Sequence, residues 1–270
     1  MSSDRAIVGV CCDSRQRRIL EVTLPSWRRY GERHGIPVRI VEQDCTGGDF
    51  YWNKYLLFRN PELRSCKYLM FLDNDVFANA AAEPLLNGWD SPLIGATFES
   101  TQAGWSPEFI DRYYDDYFVD RRGAVPNLQV INTGVLIIPQ EQSAFLESAY
   151  RRWKSWMASL PRPFPQRKDP FVLKADQPHM SYELQAEKRY VNFGERFNTL
   201  WWHWYKANVK RWSQSFLLRS KAAAVSVDWL PKSLWHAIFH RERVTFMRAL
   251  ADCDFLHVAG SKSPVFLVRN

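Results

Sequence analysis

The sequence has few features of secretion, membrane insertion or bound zinc. Its 270 residues include only five cysteines, an odd number, with no C-x-x-C pair and no cysteine and histidine spacing typical of zinc sites. No apolar run approaches the roughly 20 residues that span a bilayer, and the first residues lack the basic and then apolar pattern of a signal peptide. We therefore expect reduced, mostly buried thiols and a cytoplasmic protein.

The chain also lacks internal repeats, low-complexity tracts and, after its first predicted strand, the G-x-G-x-x-G fingerprint of dinucleotide-binding proteins. Positive charge is what it has in excess. Lysine and arginine number 36 against 29 aspartates and glutamates, giving a formal net charge of +7. This balance favours acidic partners such as nucleotides, phospholipid surfaces or nucleic acid, and does not by itself choose among them.

Short apolar runs alternate with helical patterns along the first part of the chain, and this alternation is typical of a doubly wound, Rossmann-like sheet. The predicted strands cover residues 6–11, 38–41, 67–72, 92–97 and 130–138. The predicted helices cover residues 19–30, with a bend or restart at Pro25, then 52–58, a segment beginning at Ser106-Pro107, 140–160 and 231–250. We expect an α/β protein with a mostly parallel sheet flanked by helices.

The domain organisation follows from a change in composition after residue 200. Residues 1–200 hold the predicted core, and residues 201–250 form a basic, aromatic and helical elaboration that is rich in tryptophan. Residues 251–270 read as a short strand followed by a turn.

The most informative stretch is the apolar run that starts at Lys67 and ends in Asp73-Asn74-Asp75. It predicts a buried strand with an acidic tip, and ligands of open α/β sheets bind at the carboxyl ends of such strands. An extended backbone would point Asp73 and Asp75 to the same side. Two neighbouring carboxylates repel each other unless a hard cation lies between them. An acidic turn without a ligand is the alternative.

Four short motifs succeed one another at domain-scale spacing: Asp73-Asn74-Asp75, Asn132-Thr133-Gly134, Asp176-Gln177 and His257-x-x-Gly260. In this order they resemble the retaining GT-A glycosyltransferases, especially family 8, which includes glycogenin and bacterial lipooligosaccharide galactosyltransferases. The resemblance extends from about residue 5 to residue 265. Trp52-x-Lys54 and Asn132-Thr133-Gly134 also match the related galactosyl and xylosyl transferases of family 34. The resemblance implies a GT-A fold and the transfer of a hexose from a UDP-sugar with retention of anomeric configuration.

The resemblance implies a metal site formed by Asp73, Asp75 and His257. Mixed carboxylate and imidazole ligands suit Mn²⁺ better than Ca²⁺, and Mg²⁺ is the alternative cofactor. For His257 considered alone, a histidine satisfied within the core or a turn is the alternative.

The resemblance also implies a set of donor-binding residues. Lys54 would contact the donor phosphates, with an exposed helix lysine as the alternative, and Asn74 belongs to the same acidic tip. Gly260 would let the backbone approach the diphosphate and Lys262 would add charge there. The lysine lies one place earlier than in the H-x-x-G-x-x-K-P-W pattern of family 8, and Val265 stands where that pattern has tryptophan.

The candidate catalytic residues are Asn132, Asp176 and Gln177. Asn132 and Gly134 would line the donor sugar, and Asp176 with Gln177 would lie beside the anomeric carbon. A helix amino-terminal cap is the other interpretation of Asp176-Gln177, and the two roles are compatible.

The expected acceptor is a saccharide or glycolipid. Candidates for its side of the site are the helix with Tyr113 to Tyr117, the loop over residues 161–170 and the Trp201 to Trp212 segment. That last segment combines tryptophan with basic residues, so it also predicts a peripheral contact at the inner face of the membrane, with ordinary core packing as the alternative.

Two other functional classes compete with glycosyl transfer. One is a basic protein without catalytic activity that binds nucleic acid or membrane, and the other is a nucleotidyltransferase. No nucleic-acid-binding motif is present, so we expect no nucleic-acid partner.

Overall fold

The computed structural model describes residues 4–118, 125–160, 176–200 and 249–258 of the chain. The strands are β1 (Arg5–Val10), β2 (Val38–Val41), β3 (Tyr68–Leu72), β4 (Val76–Ala78), β5 (Ile94–Phe98), β6 (Ile131–Pro139), β7 (Tyr190–Asn192), β8 (Thr199–Leu200) and β9 (Phe255–His257). The α-helices of the described residues include α1 (Ser14–His34), α2 (Glu99–Ala103), α3 (Pro107–Phe118), α4 (Ser143–Ser159) and α5 (Gln177–Ala186).

Within these ranges the strands form a six-stranded sheet, in the order β2-β1-β3-β6-β5-β7, and a three-stranded sheet, in the order β4-β9-β8. In the larger sheet β6 is antiparallel to both of its neighbours, while the remaining pairs are parallel. Five strands therefore run in one direction, which confirms the prediction of a mostly parallel sheet flanked by helices.

The reversed direction of β6 positions the Asn132-Thr133-Gly134 motif. An antiparallel strand begins where its parallel neighbours end, and Val135 of β6 pairs with Leu72, the last residue of β3. The motif was expected in the interior of a strand, but β6 begins at Ile131, so the motif occupies the start of the strand. The pairing of β5 with β6 shifts register between Gly95 and Thr97, opposite the part of β6 that contains the motif.

Strand β3 and residues 6–10 of β1 are apolar throughout because side chains pack against both faces of the sheet there. Successive residues of β1 alternate between two clusters: Ala6 and Val8 pack in the cluster that contains Trp52 and Trp153, and Ile7 packs in the cluster that contains Trp27. Trp27 belongs to α1 and Trp153 to α4. Burial on both faces removes the polar alternation of a half-exposed strand, so the sequence shows continuous apolar runs.

Two predicted helices differ in detail from the structure. The helix expected over residues 19–30 is one continuous helix, α1, which includes Pro25. It is capped at its start by Asp13, whose side chain accepts a hydrogen bond from the backbone of Gln16, and at its end by Gly35 with a φ of 66°. The helix expected over residues 52–58 is wrong in type. This segment forms short 3-10 helices over Phe50–Tyr55 and Leu57–Arg59.

The three-stranded sheet returns the end of the described chain to the larger sheet. Strand β9 pairs antiparallel with β4 and parallel with β8. Because β4 follows β3 after a short turn, this pairing carries residues near 257 to the edge where β3 ends. The expectation of a late strand is confirmed, and the turn that should follow it lies outside the described residues.

Several sequence predictions fall outside the described ranges. These are the loop over residues 161–170, nearly all of the segment over residues 201–250, and Gly260 and Lys262. No helix in the described part of the chain has the length and apolar character needed to cross a membrane. None of the five cysteines forms a disulfide bond, and Cys11, Cys66 and Cys253 are buried, in line with the expectation of reduced, mostly buried thiols.

Candidate active site

Two carboxylates and one imidazole come together at the end of β3. One ligand atom from each of Asp73, Asp75 and His257 lies within 4.8 Å of the others, which suits a single metal ion. The His257 Nε2 atom is 3.2 Å from Asp75 Oδ1. His257 is 5% exposed, so it is a buried ring that faces a carboxylate pair.

Backbone pairing holds this cluster together. The Asp75 carbonyl oxygen accepts a hydrogen bond from Val258 N at 2.9 Å, and Val76 pairs with His257 across β4 and β9. On the other side, Asp73 N donates to the Gly134 carbonyl oxygen at 2.8 Å. The three ligands are therefore fixed by hydrogen bonds of their own or adjoining backbone.

The acidic tip is a turn, which is one of the two backbone conformations that the sequence left open. Strand β3 ends at Leu72, and Val76 N donates to the Asp73 carbonyl oxygen at 3.0 Å, which closes a turn over Asn74 and Asp75. The two carboxylates lie close together, so the proximity that an extended backbone would give is reached here through a turn. The side chain of Asn74 is directed to β1, where its Nδ2 donates to the Val10 carbonyl oxygen at 2.7 Å.

Gly134 provides the space that the His257 ring occupies. A Cβ atom at position 134 would lie 2.3 Å from His257 Cε1 and 2.6 Å from Nδ1. Both distances are far below ordinary contact between heavy atoms. Nδ1 is buried with no hydrogen-bond partner among the described residues, whereas Nε2 faces Asp75. Nε2 is therefore the imidazole nitrogen that is presented to the acidic cluster.

The electrostatics of the cluster show an excess of negative charge. Burial alone would lower the pKa of His257, but Asp75, Asp73 and Glu99 outweigh it and raise that pKa. Burial raises the pKa of Asp73, Lys54 opposes this effect and Asp75 adds to it. A cation placed among these groups would relieve the repulsion that raises the pKa of Asp73.

Lys54 lies behind the acidic cluster as a buried ammonium group. Its side chain is 5% exposed, and Nζ lies 3.1 Å from Asp176 Oδ2 and 3.4 Å from Asp73 Oδ1. Nζ also donates to Thr133 Oγ1 at 3.2 Å and to the Thr133 carbonyl oxygen at 3.3 Å. Burial alone would lower the pKa of Lys54, but Asp176 and Asp73 reverse the direction and raise it. The alternative of an exposed helix lysine is wrong.

Asp176 links the cluster to α5. It occupies the N-cap position of that helix, as one of the two sequence interpretations expected, but its side chain turns to Lys54 and Tyr55. The Tyr55 hydroxyl donates to Asp176 Oδ2 at 2.6 Å. Burial, and to a smaller extent the charge of Asp176, raises the pKa of Tyr55 well above its usual range. Asp176 is 4% exposed, so water cannot solvate its carboxylate. The ammonium group of Lys54 balances that buried charge instead.

A second polar group surrounds Glu99, the first residue of α2. Glu99 Oε2 accepts hydrogen bonds from Asn132 Nδ2 at 3.0 Å and from Gln177 Nε2 at 2.6 Å. Asn132 Oδ1 in turn accepts from Gly134 N at 2.8 Å and from Asn198 Nδ2 at 2.6 Å. Asn132 and Gln177 were both expected in the site, and their side-chain amides donate hydrogen bonds to the same carboxylate, that of Glu99.

Of the predicted site residues that it describes, the structure brings together all but Asn74, whose side chain is directed to β1, and it adds others. Gly260 and Lys262 lie outside the described residues. Thr133, Tyr55 and Glu99 were missed by sequence reasoning. Thr133 lies inside a motif that was recognised, and Tyr55 is adjacent to Lys54, so proximity in sequence was a usable signal. Glu99 follows an apolar strand as Asp73 does, and the same argument about strand ends applied to it.

Among the acceptor-side candidates, only part of α3 is described in detail. Tyr114 is 1% exposed and its hydroxyl donates to the Gln129 carbonyl oxygen at 2.8 Å, so this ring belongs to the core. Tyr113 packs against Trp105, with ring centroids 5.6 Å apart.

No protein-family model and no curated protein matches this chain. Solved structures of similar fold include a glycosyltransferase involved in glycosylation of the major capsid of PBCV-1. That comparison has a TM-score of 0.52 at 13% identity and covers 97% of this chain and 96% of the other. A galactosyltransferase, LgtC, solved with donor and acceptor sugar analogs, has a TM-score of 0.51 at 13% identity over 96% of this chain and 88% of the other.

The bifunctional glycosyltransferase WbbM has a TM-score of 0.56 at 11% identity. It is matched over 98% of this chain but only 47% of its own, so the present chain spans about half the length of that protein. GlyE of Streptococcus pneumoniae TIGR4 is likewise covered over 56% of its length. At these identities the likeness concerns the fold. The chain has the GT-A glycosyltransferase fold, and membership of family 8 or family 34 stays a prediction.

Proposed function

We propose that this chain is a metal-dependent hexosyltransferase that moves a sugar from a UDP-sugar to a saccharide or glycolipid acceptor with retention of configuration. The observation that supports this most strongly is the cluster of Asp73, Asp75 and His257 at the end of β3 in a GT-A fold. In open α/β sheets that edge is where ligands bind.

The residues present fit a divalent cation. The cluster offers two carboxylate oxygens and one imidazole nitrogen, a donor set that suits Mn²⁺ and also accepts Mg²⁺. Asp73, Asp75 and His257 would hold the ion, which would supply positive charge to the diphosphate leaving group. Three protein ligands leave coordination positions open for phosphate oxygens.

The role of Lys54 is to balance charge behind the metal ligands. With Nζ 3.1 Å from Asp176 and 3.4 Å from Asp73, its ammonium group offsets the negative charge of both carboxylates and orients them. The sequence suggested a direct phosphate contact for Lys54. Its burial favours an indirect effect, in which Lys54 orients the ligand Asp73 that faces the phosphates.

The sugar would lie on the side of Gln177 and Asp176. Departure of the diphosphate leaves positive charge on the anomeric carbon, as at other oxocarbenium-like centres. The Gln177 side chain is half-exposed at the start of α5, and its carbonyl oxygen has no hydrogen-bond partner among the described residues. An amide oxygen directed at the anomeric carbon would stabilise the developing charge. Asp176, the residue before Gln177, is held in place by Lys54 and Tyr55.

The rival classes gain no comparable support. The nucleic-acid interpretation depended on the Trp201 to Trp212 segment, which lies outside the described residues, as does the proposed membrane contact. A cytoplasmic location, at the inner face of the membrane if that contact is made, stays a prediction from the sequence.

The test is a screen of nucleotide sugars for hydrolysis and transfer with Mn²⁺, Mg²⁺ or chelator present. We expect Mn²⁺-dependent release of UDP from one UDP-sugar, and its loss in Asp75→Asn without loss of the fold. Asp90→Asn, at an exposed aspartate, is the matched control and should retain full activity. Absence of turnover with every UDP-sugar, with and without glycan acceptors, would contradict the proposal. An active Asp75→Asn variant would remove the metal ion from it.

A further inference from the structure

Glu99 lies where three elements of the site converge. It is the first residue after β5, it bonds to Asn132 at the start of β6, and it bonds to Gln177 at the start of α5. Both bonds end on the same oxygen, Oε2, at 3.0 Å and 2.6 Å. Glu99 is half-buried, so these are charge-assisted bonds in partial shelter from water.

A carboxylate determines the orientation of an amide that it contacts. An ionised carboxylate only accepts hydrogen bonds, whereas an amide has a donor end and an acceptor end. Turning the Gln177 amide around would place its carbonyl oxygen against Glu99 Oε2, and the two oxygens would repel each other. The same argument holds for Asn132. Glu99 therefore holds the nitrogen end of each amide and leaves the oxygen end directed away.

The two amides differ in what their oxygen ends do. Asn132 Oδ1 is taken up by Gly134 N and Asn198 Nδ2, so the Asn132 side chain is held at both ends by protein and is 2% exposed. The Gln177 carbonyl oxygen has no such partner among the described residues. The bond to Glu99 also draws electron density through the amide toward that oxygen, since hydrogen-bonded groups polarise one another. Asn132 thus anchors the arrangement, and Gln177 presents its carbonyl oxygen outward.

We propose that Glu99 is a positioning residue that orients the Gln177 amide so that its carbonyl oxygen faces the anomeric carbon of the donor sugar. This rests on the proposed function, because it assumes that a sugar lies beside Gln177. Glu99 acts through Gln177 and makes no covalent bond to the sugar. What Glu99 contributes to this geometry is a hydrogen-bond acceptor at the place of Oε2. A glutamine, which has the same shape without the charge, also supplies an acceptor there.

Glu99→Gln and Glu99→Leu separate orientation from charge. In Glu99→Gln the new carbonyl oxygen accepts both amide N–H groups from the place of Oε2, while the negative charge is lost. Glu99→Leu removes the acceptor altogether. We expect kcat of Glu99→Gln to stay within about 10-fold of the wild type. We expect Glu99→Leu to lower kcat about 100-fold, the cost of a misdirected group, with KM for the donor changed less than about threefold.

The remaining variants test whether Glu99 acts through Gln177. Gln177→Leu should lower kcat as Glu99→Leu does, and the double variant should be no worse than either, because residues that act as a unit are not additive. Glu21→Leu, at an exposed glutamate of α1, is the control and should leave kcat unchanged. Equal losses in Glu99→Gln and Glu99→Leu would mean that the charge itself acts, and would overturn positioning. A fully active Glu99→Leu, or one altered only in KM, would overturn it as well.

A stability measurement keeps the test decisive if the wild type shows no turnover. The unfolding equilibrium constants of the wild type, Glu99→Leu, Gln177→Leu and the double variant form a cycle that reports the contact alone. We expect the double variant to depart from the product of the single effects by at least about threefold. Independent effects would overturn the inference about Glu99. A coupled cycle in an inactive protein would leave the contact standing and remove the proposed function.

Discussion

Gly134→Ala adds one methyl group where the His257 ring lies over the start of β6. The added Cβ would be 2.3 Å from His257 Cε1, 2.6 Å from Nδ1 and 3.0 Å from Nε2. Gly134 does not have a positive φ, so alanine is acceptable to the backbone and the whole effect comes from this contact. Carbon atoms pack at about 3.5–4.0 Å, so the ring must retreat by about 1 Å or more.

The ring cannot retreat without leaving the metal site. Its backbone is fixed because His257 pairs with Val76 in β4 and with Leu200 in β8. Rotation of the side chain or displacement of β9 would both lengthen the 3.2 Å separation between Nε2 and Asp75 Oδ1. We expect overpacking to cost about 1–3 kcal/mol of the free energy of unfolding. Mn²⁺ affinity should fall about 10- to 100-fold, as when a ligand loses its orientation.

The assay measures the free Mn²⁺ that remains when the protein is titrated with Mn²⁺. A second measurement is the rise in melting temperature that a fixed concentration of Mn²⁺ produces. Gly88→Ala is the matched control, because a Cβ there would meet nothing within 4 Å. In a His257→Ala background the ring is gone, so Gly134→Ala should have little further effect on Mn²⁺ affinity. A Gly134→Ala variant that binds Mn²⁺ as tightly as the wild type would refute the reasoning.

Two further predictions concern buried charges. Lys54→Met leaves the buried carboxylate of Asp176 without its ammonium partner at 3.1 Å, so the free energy of unfolding in urea should fall by about 3–5 kcal/mol. A value within about 0.5 kcal/mol of the wild type would contradict this role. Glu183 is a second case: burial opposes ionisation, but hydrogen bonds from His179 and Arg152 lower its pKa from 4.5 to about 2. Because the pKa of Glu183 is lower in the folded than in the unfolded protein, its ionised form stabilises the fold at pH values above the unfolded pKa. Glu183→Gln should therefore lower the free energy of unfolding by about 3 kcal/mol near pH 6. The stability difference between the wild type and Glu183→Gln should shrink as the pH falls from 4.5 to about 2. The measurement is urea unfolding of both proteins at several pH values, and a difference that stayed constant would disprove the lowered pKa of Glu183.

Local patterns in the sequence were sufficient for the main elements of the sheet. The apolar run before Asp73 became β3, and the run that contains Asn132 became β6. Strands buried on both faces select apolar and β-branched residues over their whole length, and this signal does not depend on what lies next to them. Helix α1 was predictable for the same reason, since its cap at Asp13 and its terminating Gly35 are local features.

The type of local structure was less predictable where side-chain contacts set the backbone. The segment with Lys54 was expected to be an α-helix and is a 3-10 helix, in which the Asn53 side chain bonds to Asp44 and Cys45 of the preceding loop. For the acidic tip the sequence left an extended strand and a turn open, and the structure has the turn. In the Lys54 segment, hydrogen bonds to the preceding loop outweighed the propensities of the residues, whereas the turn at the acidic tip is closed by a local bond from Val76 N to the Asp73 carbonyl oxygen.

By itself, the sequence determined which residue types were available at the ends of strands, including the Asp73 and Asp75 carboxylates and the polar start of β6. Only the tertiary structure decided their partners. The pairing of β4 with β9 brought His257 to Asp75, and the reversed direction of β6 placed Gly134 beneath its ring. Strand periodicity is a local property that repeats within one segment, whereas the pairing of strands far apart in the chain depends on how whole segments pack. That is why the ligands could be proposed from sequence, and why the contacts of Glu99 with Asn132 and Gln177 emerged only from the folded chain.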